Sequence, residues 1–381
     1  MNKKILLTFT SSIFLLGIME LIVSGLLEPI STDLKMTYSL TGQLITVYAV
    51  SFALFGPFLI KVTQKLPDKP VMLISMIVFI IGNVVFAMAN GFIELSIGRV
   101  ITAMAAAVII VKILDITVVI SEPHKRGRML ALVYLGFSAA NVFGIPISTF
   151  VGTIFGWRTV FYIISAIAII LIILLSRMIP DVKTDIVEEN TDKIKSMRNV
   201  MIYISITMTV LVGNFVVIGY ISPLLTSNGY SIKEVSLALL IAGLGGMTGT
   251  YFGGSIADKI GARTSIMIML TLFLITMIIM PFLYPFKILF YITLYLWNVF
   301  EWSTGPAIQM GLVNNVQGSA SNVFSWNMSS LNLGIGLGAV FGGLFITYFN
   351  IDYTPWLGGV VVFIGIILAT MLKEESMVKY D

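Results

Sequence analysis

Apolar residues along this chain are gathered into twelve long runs that are separated by short polar segments. A helix needs about 20 mainly apolar residues to cross a bilayer, and each run is about that long. The runs lie at residues 5–27, 40–60, 71–90, 92–120, 129–152, 158–179, 200–222, 235–255, 265–284, 287–313, 322–348 and 354–372. The pattern predicts an all-α integral membrane protein with twelve spans, numbered 1 to 12 in chain order.

A charged segment at residues 181–198 divides the twelve runs into two sets of six. Some secondary transporters consist of two parallel repeats of this kind, with the substrate site at mid-membrane between them. We therefore expect an N-terminal six-helix bundle at residues 1–180, a cytoplasmic linker at 181–198 and a C-terminal six-helix bundle at 199–381. The two bundles are expected to be pseudo-symmetric.

The composition agrees with a membrane protein and argues against several other classes. The chain is 57% hydrophobic and 11% charged, with a mean hydropathy of +0.99, whereas soluble domains are about half apolar and about a quarter charged. It has no cysteine and one histidine, His124, which argues against disulfides and the usual metal sites. We expect no metal, no cofactor and no enzymatic activity. The chain also lacks a Walker-type phosphate loop, so the expected energy source is the proton gradient.

The basic residues are unevenly distributed, and this asymmetry predicts the orientation. With a cytoplasmic N-terminus, the inside segments carry Lys3, Lys4, Lys61, Lys65, Lys69, Lys125, Arg126, Arg128, Arg177, Lys183, Lys193, Lys195, Arg198, Lys259, Arg263, Lys373 and Lys379. The outside segments carry Lys35, Arg158, Lys233 and Lys287. The positive-inside rule then places both termini in the cytoplasm, in a multi-pass protein of a bacterial inner membrane. Because topology accounts for the net charge of +4, we expect no nucleic-acid partner.

The first run also resembles a secretory signal peptide, since Lys3 and Lys4 precede an apolar stretch. That stretch is longer than the usual 7–15-residue apolar region, contains Glu20 and has no small-x-small cleavage site. We therefore expect it to be span 1 of the mature protein.

The segment Gly253-Gly254-Ser255-Ile256-Ala257-Asp258-Lys259-Ile260-Gly261-Ala262-Arg263, after span 8, closely resembles the cytoplasmic loop signature of the major facilitator superfamily. The corresponding loop after span 2 has Lys61 where that signature has an acid. Asp258 can pair with an arginine or cap a helix, and such a contact can break when the two halves rock. The resemblance thus implies a conformational switch that includes Asp258 and Arg263.

Three further segments resemble the same family. Arg99 is similar to its arginine in helix 4, and residues 136–158, with Asn141, Gly144 and Pro146, resemble the antiporter signature of helix 5. In that signature glycine and proline are usually adjacent, whereas here one residue separates them. The surroundings of Glu20 in span 1 resemble proton-driven exporters of drugs, sugars and purines with twelve helices, although Glu28 precedes the expected proline.

These resemblances imply a monomeric secondary active transporter whose partners are a small-molecule substrate, protons and the lipid bilayer. The expected activity is proton-coupled efflux of small amphipathic molecules or drugs by alternating access, including multidrug resistance. A purine, nucleoside or sugar efflux permease and a proton-coupled importer are alternatives. A membrane enzyme or a receptor would need a catalytic constellation or a soluble domain, which the sequence lacks.

Ionisable residues within the spans are candidates for proton coupling, because each costs about 2.5–3.5 kcal/mol to insert. The candidates are Glu20, Arg99, Asp115 and Glu301. Glu20 and Arg99 are expected at a similar depth, about 10 Å below the outer surface, where a glutamate that exchanges partners would bind and release protons. A static pair that fixes spans 1 and 4 is the alternative. Lys112 and Asp115 are spaced i, i+3 and are expected to neutralise each other, and a role of Lys112 in substrate or proton handling is the alternative.

Span 10 carries a polar and aromatic stripe that is a candidate substrate-binding wall. The stripe consists of Trp297, Asn298, Glu301, Thr304 and Gly305, with Trp302 and Gln309 beside it. A carboxylate among aromatic rings can hold a lipophilic cation, although tryptophan is also common at membrane interfaces. The weaker binding candidates are Asn214 and Tyr220 in span 7 and Asn141 in span 5, because polar residues in membranes often only bond neighbouring helices. Gly334, Gly338 and Gly342 are expected to give span 11 a face for close helix packing.

Overall fold

A computed structural model describes residues 3–63, 66–120, 126–179, 193–317 and 321–372 of the 381-residue chain. The helices within these residues are α1 (Lys3–Leu34), α2 (Tyr38–Thr63), α3 (Asp68–Met88), α4 (Phe92–Val119), α5 (Arg126–Ala139), α6 (Ile145–Phe155), α7 (Trp157–Met178), α8 (Met197–Ile218), α9 (Ile221–Ser227), α10 (Ile232–Ile260), α11 (Ala262–Leu283), α12 (Lys287–Asn314), α13 (Ser321–Tyr348) and α14 (Thr354–Thr370). A 3₁₀ turn at Ile351–Tyr353 precedes α14.

Eleven segments among the described residues are long and apolar enough to cross a membrane. They confirm that the chain is an α-helical protein with many membrane spans. The helix α12, which corresponds to predicted span 10, is not one of the eleven although it has 28 residues. Polar and aromatic residues around Glu301 lower its hydropathy.

The predicted linker is partly structured where it is described. A short strand β1 (Lys193–Ile194) pairs antiparallel with β2 (Val316–Gln317), and α8 begins at Met197. The Ser196 hydroxyl caps α8 by accepting a hydrogen bond from the Asn199 N–H at 3.3 Å. The other linker residues, 181–192, lie outside the described residues.

The chain divides into two compact units. Unit 1 consists of Met1–Ile186 and Ser231–Leu240, and unit 2 consists of Val187–Tyr230 and Ile241–Asp381. The start of α10 is therefore grouped with unit 1 and the remainder of α10 with unit 2.

In unit 1, α1 packs closely on a run formed by α5, a π-helical turn at Ala140–Gly144, and α6. A Cβ on Gly17 would lie 2.9 Å from the Ala140 Cβ, which shows how closely the helices approach. Pro146 has no N–H for the carbonyl of Val142, four residues earlier, and a π turn is one way in which a helix accommodates such a proline. Predicted span 5 is therefore helical throughout but not regular.

In unit 2, glycines bring α13 against α8 as the sequence predicts. Cβ atoms on Gly334, Gly338 and Gly342 would lie 2.7–2.8 Å from side-chain atoms of Leu211, Phe215 and Tyr220. These contacts confirm the predicted close-packing face. They fix the depth of each α13 residue relative to α8.

Candidate functional site

Arg99, on α4, is completely buried and bonds three backbone carbonyls. Its Nη1 donates to the Met19 carbonyl at 2.6 Å, its Nη2 to the Glu20 carbonyl at 3.1 Å and its Nε to the Leu44 carbonyl at 3.1 Å. The guanidinium also lies 4.1 Å from the centre of the Tyr48 ring, in cation–π geometry. One side chain thus holds α4 against both α1 and α2.

Glu20 is partly buried on α1, beside the carbonyls that Arg99 binds. Among the described residues, its carboxylate forms no ion pair within 4 Å of the Arg99 guanidinium, which donates to main-chain oxygens instead. The structure therefore brings Glu20 and Arg99 together but does not show, among the described residues, the static carboxylate–guanidinium pair that was the alternative. In this arrangement a proton can bind the carboxylate or leave it without breaking the bonds that hold the helices.

Lys112 pairs with a residue that the sequence analysis did not consider. Its Nζ lies 2.6 Å from Asp68 Oδ1, and both side chains are almost completely buried, with exposures of 4% and 2%. Lys112 is therefore neutralised by Asp68, in the first turn of α3, rather than by Asp115 alone as expected. The side chain of Asp115, a candidate for proton coupling, lies outside the described part of the chain. Asp68 was missed because it precedes the apolar run of span 3.

Glu301, on α12, is 6% exposed. Its Oε2 is buried and has no hydrogen-bond partner among the residues that the structure describes. A buried carboxylate without a partner is costly in a membrane. Glu301, which the sequence predicts as a candidate for proton coupling and substrate binding, is thus a buried acid whose Oε2 has no partner among the described residues.

The stripe around Glu301 is not a single wall. Trp297 is fully buried and stacks on Phe273 of α11, with ring centres 6.1 Å apart and an interplanar angle of 17°. Trp302 packs against Gly246 of α10 and is partly exposed. Asn298 is buried and donates to the Leu294 carbonyl at 2.9 Å. These side chains diverge towards different helices. Trp297 packs on Phe273, and its buried Nε1 has no hydrogen-bond partner among the described residues.

The weaker candidates also differ from one another. The Tyr220 hydroxyl donates to the Ala339 carbonyl at 2.7 Å, which ties the segment after α8 to α13. Asn214, on α8, is 6% exposed, and its Oδ1 has no hydrogen-bond partner within the described ranges. Asn141 is partly buried and lies in the π-helical turn. Tyr220 is thus accounted for by packing, whereas Asn214 remains available for a ligand.

The candidate switch residues lie at helix junctions. Gly144 ends the π-helical turn and packs directly against Ile18 of α1, and Pro146 is buried at the start of α6. Gly261 turns the chain between α10 and α11 with a φ of +83°, a conformation that favours glycine. Asp258 is exposed near this turn, and the Arg263 Nη2 donates to the Thr370 carbonyl of α14 at 3.1 Å.

The end of the helix 5 signature contacts a second acid that the sequence analysis did not consider. Asp33, near the end of α1, accepts a hydrogen bond from the Trp157 indole N–H at 3.0 Å and another from Arg158. Arg158 also donates to the Ala89 carbonyl at 3.0 Å. These bonds join the ends of three helices of unit 1, so Trp157 and Arg158 are structural in this arrangement.

Comparisons with known proteins agree with this architecture. Residues 9–325 match the family model of the Major Facilitator Superfamily. The chain is 30% identical to the uncharacterized MFS-type transporter YbcL of Bacillus subtilis over 366 residues, which cover 95% of the chain and 94% of that protein. It is 25% identical to the inner membrane transport protein YdhP of Escherichia coli K12, with 97% and 96% covered. It is 26% identical to a probable sugar efflux transporter of Helicobacter pylori strain P12, with 92% and 90% covered.

Solved structures show the same fold. A D-xylose–proton symporter superposes with a TM-score of 0.79 at 15% sequence identity, covering 98% of both chains. A bacterial homologue of the human lysosomal transporter Spinster superposes with a TM-score of 0.78 at 17% identity, covering 96% of this chain and 95% of the other. Together with the family match, these comparisons show that the chain is a transporter that belongs to the Major Facilitator Superfamily.

Proposed function

We propose that this transporter exports a small molecule across the bacterial inner membrane in exchange for protons. The observation that carries the proposal is the carboxylate of Glu20, which lies within apolar α1 beside the fixed guanidinium of Arg99. The transporter acts as a monomer. Its substrate site opens alternately to the two sides of the membrane as Glu20 gains and loses a proton.

The environment of Glu20 suits this role. A charge inside a membrane is costly, so a carboxylate there responds strongly to any change in its surroundings. Arg99 supplies a positive charge that its three carbonyl bonds hold in place. A small movement of α1 changes the distance between the two charges and therefore the proton affinity of Glu20. Proton binding and helix movement are coupled in this way.

The substrate is a small amphipathic molecule or drug. The isolated Glu301 carboxylate supports a molecule that carries positive charge. A second candidate is sugar efflux, which is supported by the similarity to the probable sugar efflux transporter of Helicobacter pylori. A proton-coupled importer is a further alternative, in which the same coupling moves the substrate in the opposite direction.

The direct test is proton release from inside-out membrane vesicles with an acidic interior. Lipophilic cations, neutral drugs, purines and sugars are added in turn. A transported substrate is expected to release protons from wild-type vesicles and not from Glu20→Gln vesicles, because the amide cannot carry the exchanged proton. The readout is an external pH indicator.

Glu94→Gln is the matched control, since Glu94 is an exposed acid at the start of α4. This variant is expected to release protons as the wild type does. Equal release from Glu20→Gln would show that Glu20 does not carry the proton. An absence of release from wild-type vesicles with every substrate class would refute proton antiport.

We also propose that α12 crosses the membrane, which gives twelve spans with both termini in the cytoplasm. The chain contains no cysteine, so each introduced cysteine is a single label. In intact cells, a membrane-impermeant maleimide is expected to label Phe286→Cys, before α12, and not Asn314→Cys, at its end. Permeabilised cells should show labelling of both, which controls for access. Labelling of both positions in intact cells would contradict the proposal that α12 crosses the membrane.

A further inference from the structure

Unit 2 holds several buried acceptor oxygens without a hydrogen-bond partner among the described residues, on Asn199, Asn214, Glu301 and Asn332. Glu301 Oε2 on α12 and Asn214 Oδ1 on α8 are both without a hydrogen-bond partner among the described residues. Each residue is 6% exposed. Buried polar atoms normally have partners, so an unsatisfied carboxylate and an unsatisfied amide oxygen on adjacent helices need an explanation.

The register of the two helices places these residues at one depth. The ring of Tyr203 on α8 packs directly against Gly311 on α12. Asn214 is eleven residues after Tyr203, which is about 16.5 Å along α8 and about three complete turns, so it shares the face of Tyr203. Glu301 is ten residues before Gly311, about 15 Å along α12 and about 80° around it. The pairing of β1 with β2 brings the start of α8 to the end of α12, so the two helices run in opposite directions and both steps lead the same way from the contact.

The neighbouring helices offer this pair no positive charge. Apart from Glu301 itself, the charged residues of unit 2 on α8, α10, α11 and α12 lie at or near helix ends; among the described residues they are Arg198, Asp258, Lys259, Arg263 and Lys287. The Trp297 indole, one turn from Glu301, is held against Phe273 of α11. No described residue supplies a partner to either oxygen, and the buried Trp297 Nε1 is likewise without a hydrogen-bond partner among the described residues.

We propose that Glu301 and Asn214 together bind the ammonium group of the substrate, so that the exported molecules are protonated amines with an apolar body. The inference rests on the proposed export function and names its substrate class. Two acceptor oxygens match the N–H donors of an ammonium group, and the carboxylate supplies the opposite charge. A neutral hydroxyl compound leaves that charge uncompensated, and a quaternary ammonium has no N–H to donate.

The test is equilibrium binding to the purified transporter in detergent, measured by titration calorimetry. The probe is 4-phenylbutylammonium, and its comparison compounds are 4-phenylbutanol and 4-phenylbutyltrimethylammonium. We expect the primary ammonium to bind the wild type most tightly. Glu301→Gln should raise its Kd by about tenfold or more, as the loss of a hydrogen bond to a charged group predicts. Asn214→Leu should raise it by about threefold.

Two controls separate this inference from the proposed proton exchange. Glu94→Gln removes an exposed acid of unit 1 and should leave the Kd unchanged. The second control is the proton-release assay on Glu20→Gln vesicles, which reports proton transfer separately from ammonium binding to the purified protein. Thermal unfolding of each variant confirms that it is folded, and Asn214→Leu tests the same site if Glu301→Gln does not fold.

The inference is overturned if Glu301→Gln binds the ammonium as tightly as the wild type. It is also overturned if the alcohol binds as tightly as the ammonium. Either result leaves proton exchange at Glu20 intact, since that process is measured by proton release. Conversely, Glu301-dependent ammonium binding without proton release would refute the exchange and retain the binding site.

Discussion

Replacing Lys112 by methionine is expected to lower the free energy of unfolding by about 3–5 kcal/mol. The Lys112 Nζ lies 2.6 Å from Asp68 Oδ1, and both side chains are buried. Methionine fills a similar volume but leaves the Asp68 carboxylate without its ammonium partner in a medium that solvates charge poorly. The measurement is the unfolding equilibrium of the purified protein in mixed detergent–SDS micelles.

A double variant distinguishes the loss of a partner from the loss of packing. Lys112→Met combined with Asp68→Leu removes both charges, and we expect it to recover most of the lost stability because neither member of the buried pair is left without the other. Lys233→Met is the matched control: Lys233 is exposed, and its replacement should change stability by less than about 0.5 kcal/mol. A stable Lys112→Met variant would mean that Asp68 does not depend on Lys112 for its stabilisation.

The helices were predictable because apolar runs of spanning length have few alternatives. The side-chain partners that lie on different helices were not predictable in this way. Lys112 was assigned to Asp115 because both lie in one run, whereas the structure pairs it with Asp68, at the start of another helix. Neutralising a buried charge depends on which helices meet, and a hydropathy pattern does not contain that information.

The same limit applies to the predicted binding wall. Periodicity correctly placed Trp297 and Glu301 one turn apart on a helix, but it did not show that the Trp297 ring stacks on Phe273. It also did not show that the Tyr220 hydroxyl bonds a carbonyl of α13. Glycine spacing was more informative, since the series in span 11 correctly predicted close packing. A glycine marks a position where two helices can approach closely, whereas a large side chain can pack against several different neighbours.

The buried charged residues of the two units differ in whether they have bonded partners. In unit 1, Arg99 and Lys112 are held by fixed partners, namely carbonyls of α1 and α2 and the Asp68 carboxylate. In unit 2, Glu301 has no partner within the described ranges. A fixed cation beside Glu20 suits the handling of protons, and an unpaired acid suits a ligand that brings its own positive charge. The proposed division of roles follows from this difference.

Replacing Arg99 by lysine is expected to reduce the transport rate by more than about tenfold although the positive charge is kept. The guanidinium reaches carbonyls on two helices, at Met19, Glu20 and Leu44, and stacks on Tyr48. A lysine ammonium has no planar fork with which to make these bonds together, and hydrogen bonds to a charged group contribute about 1.5–3 kcal/mol each. The segment of α1 that carries Glu20 therefore loses its fixed position. The proton-release assay measures the resulting loss of transport rate, and thermal unfolding measures the accompanying loss of stability.

Arg177→Lys is the matched control for this substitution, because Arg177 is an exposed arginine at the end of α7. Arg99→Leu adds a second comparison. The three carbonyls lie within regular helices, so leucine does not leave them without any partner, and the Arg99→Leu protein should fold but not exchange protons. If Arg99→Lys transports at the wild-type rate, a positive charge near Glu20 is sufficient and the bonds to α1 and α2 only stabilise the bundle. If Arg99→Lys and Arg99→Leu both fold but fail to exchange protons, coupling requires a guanidinium that holds α1 at Glu20.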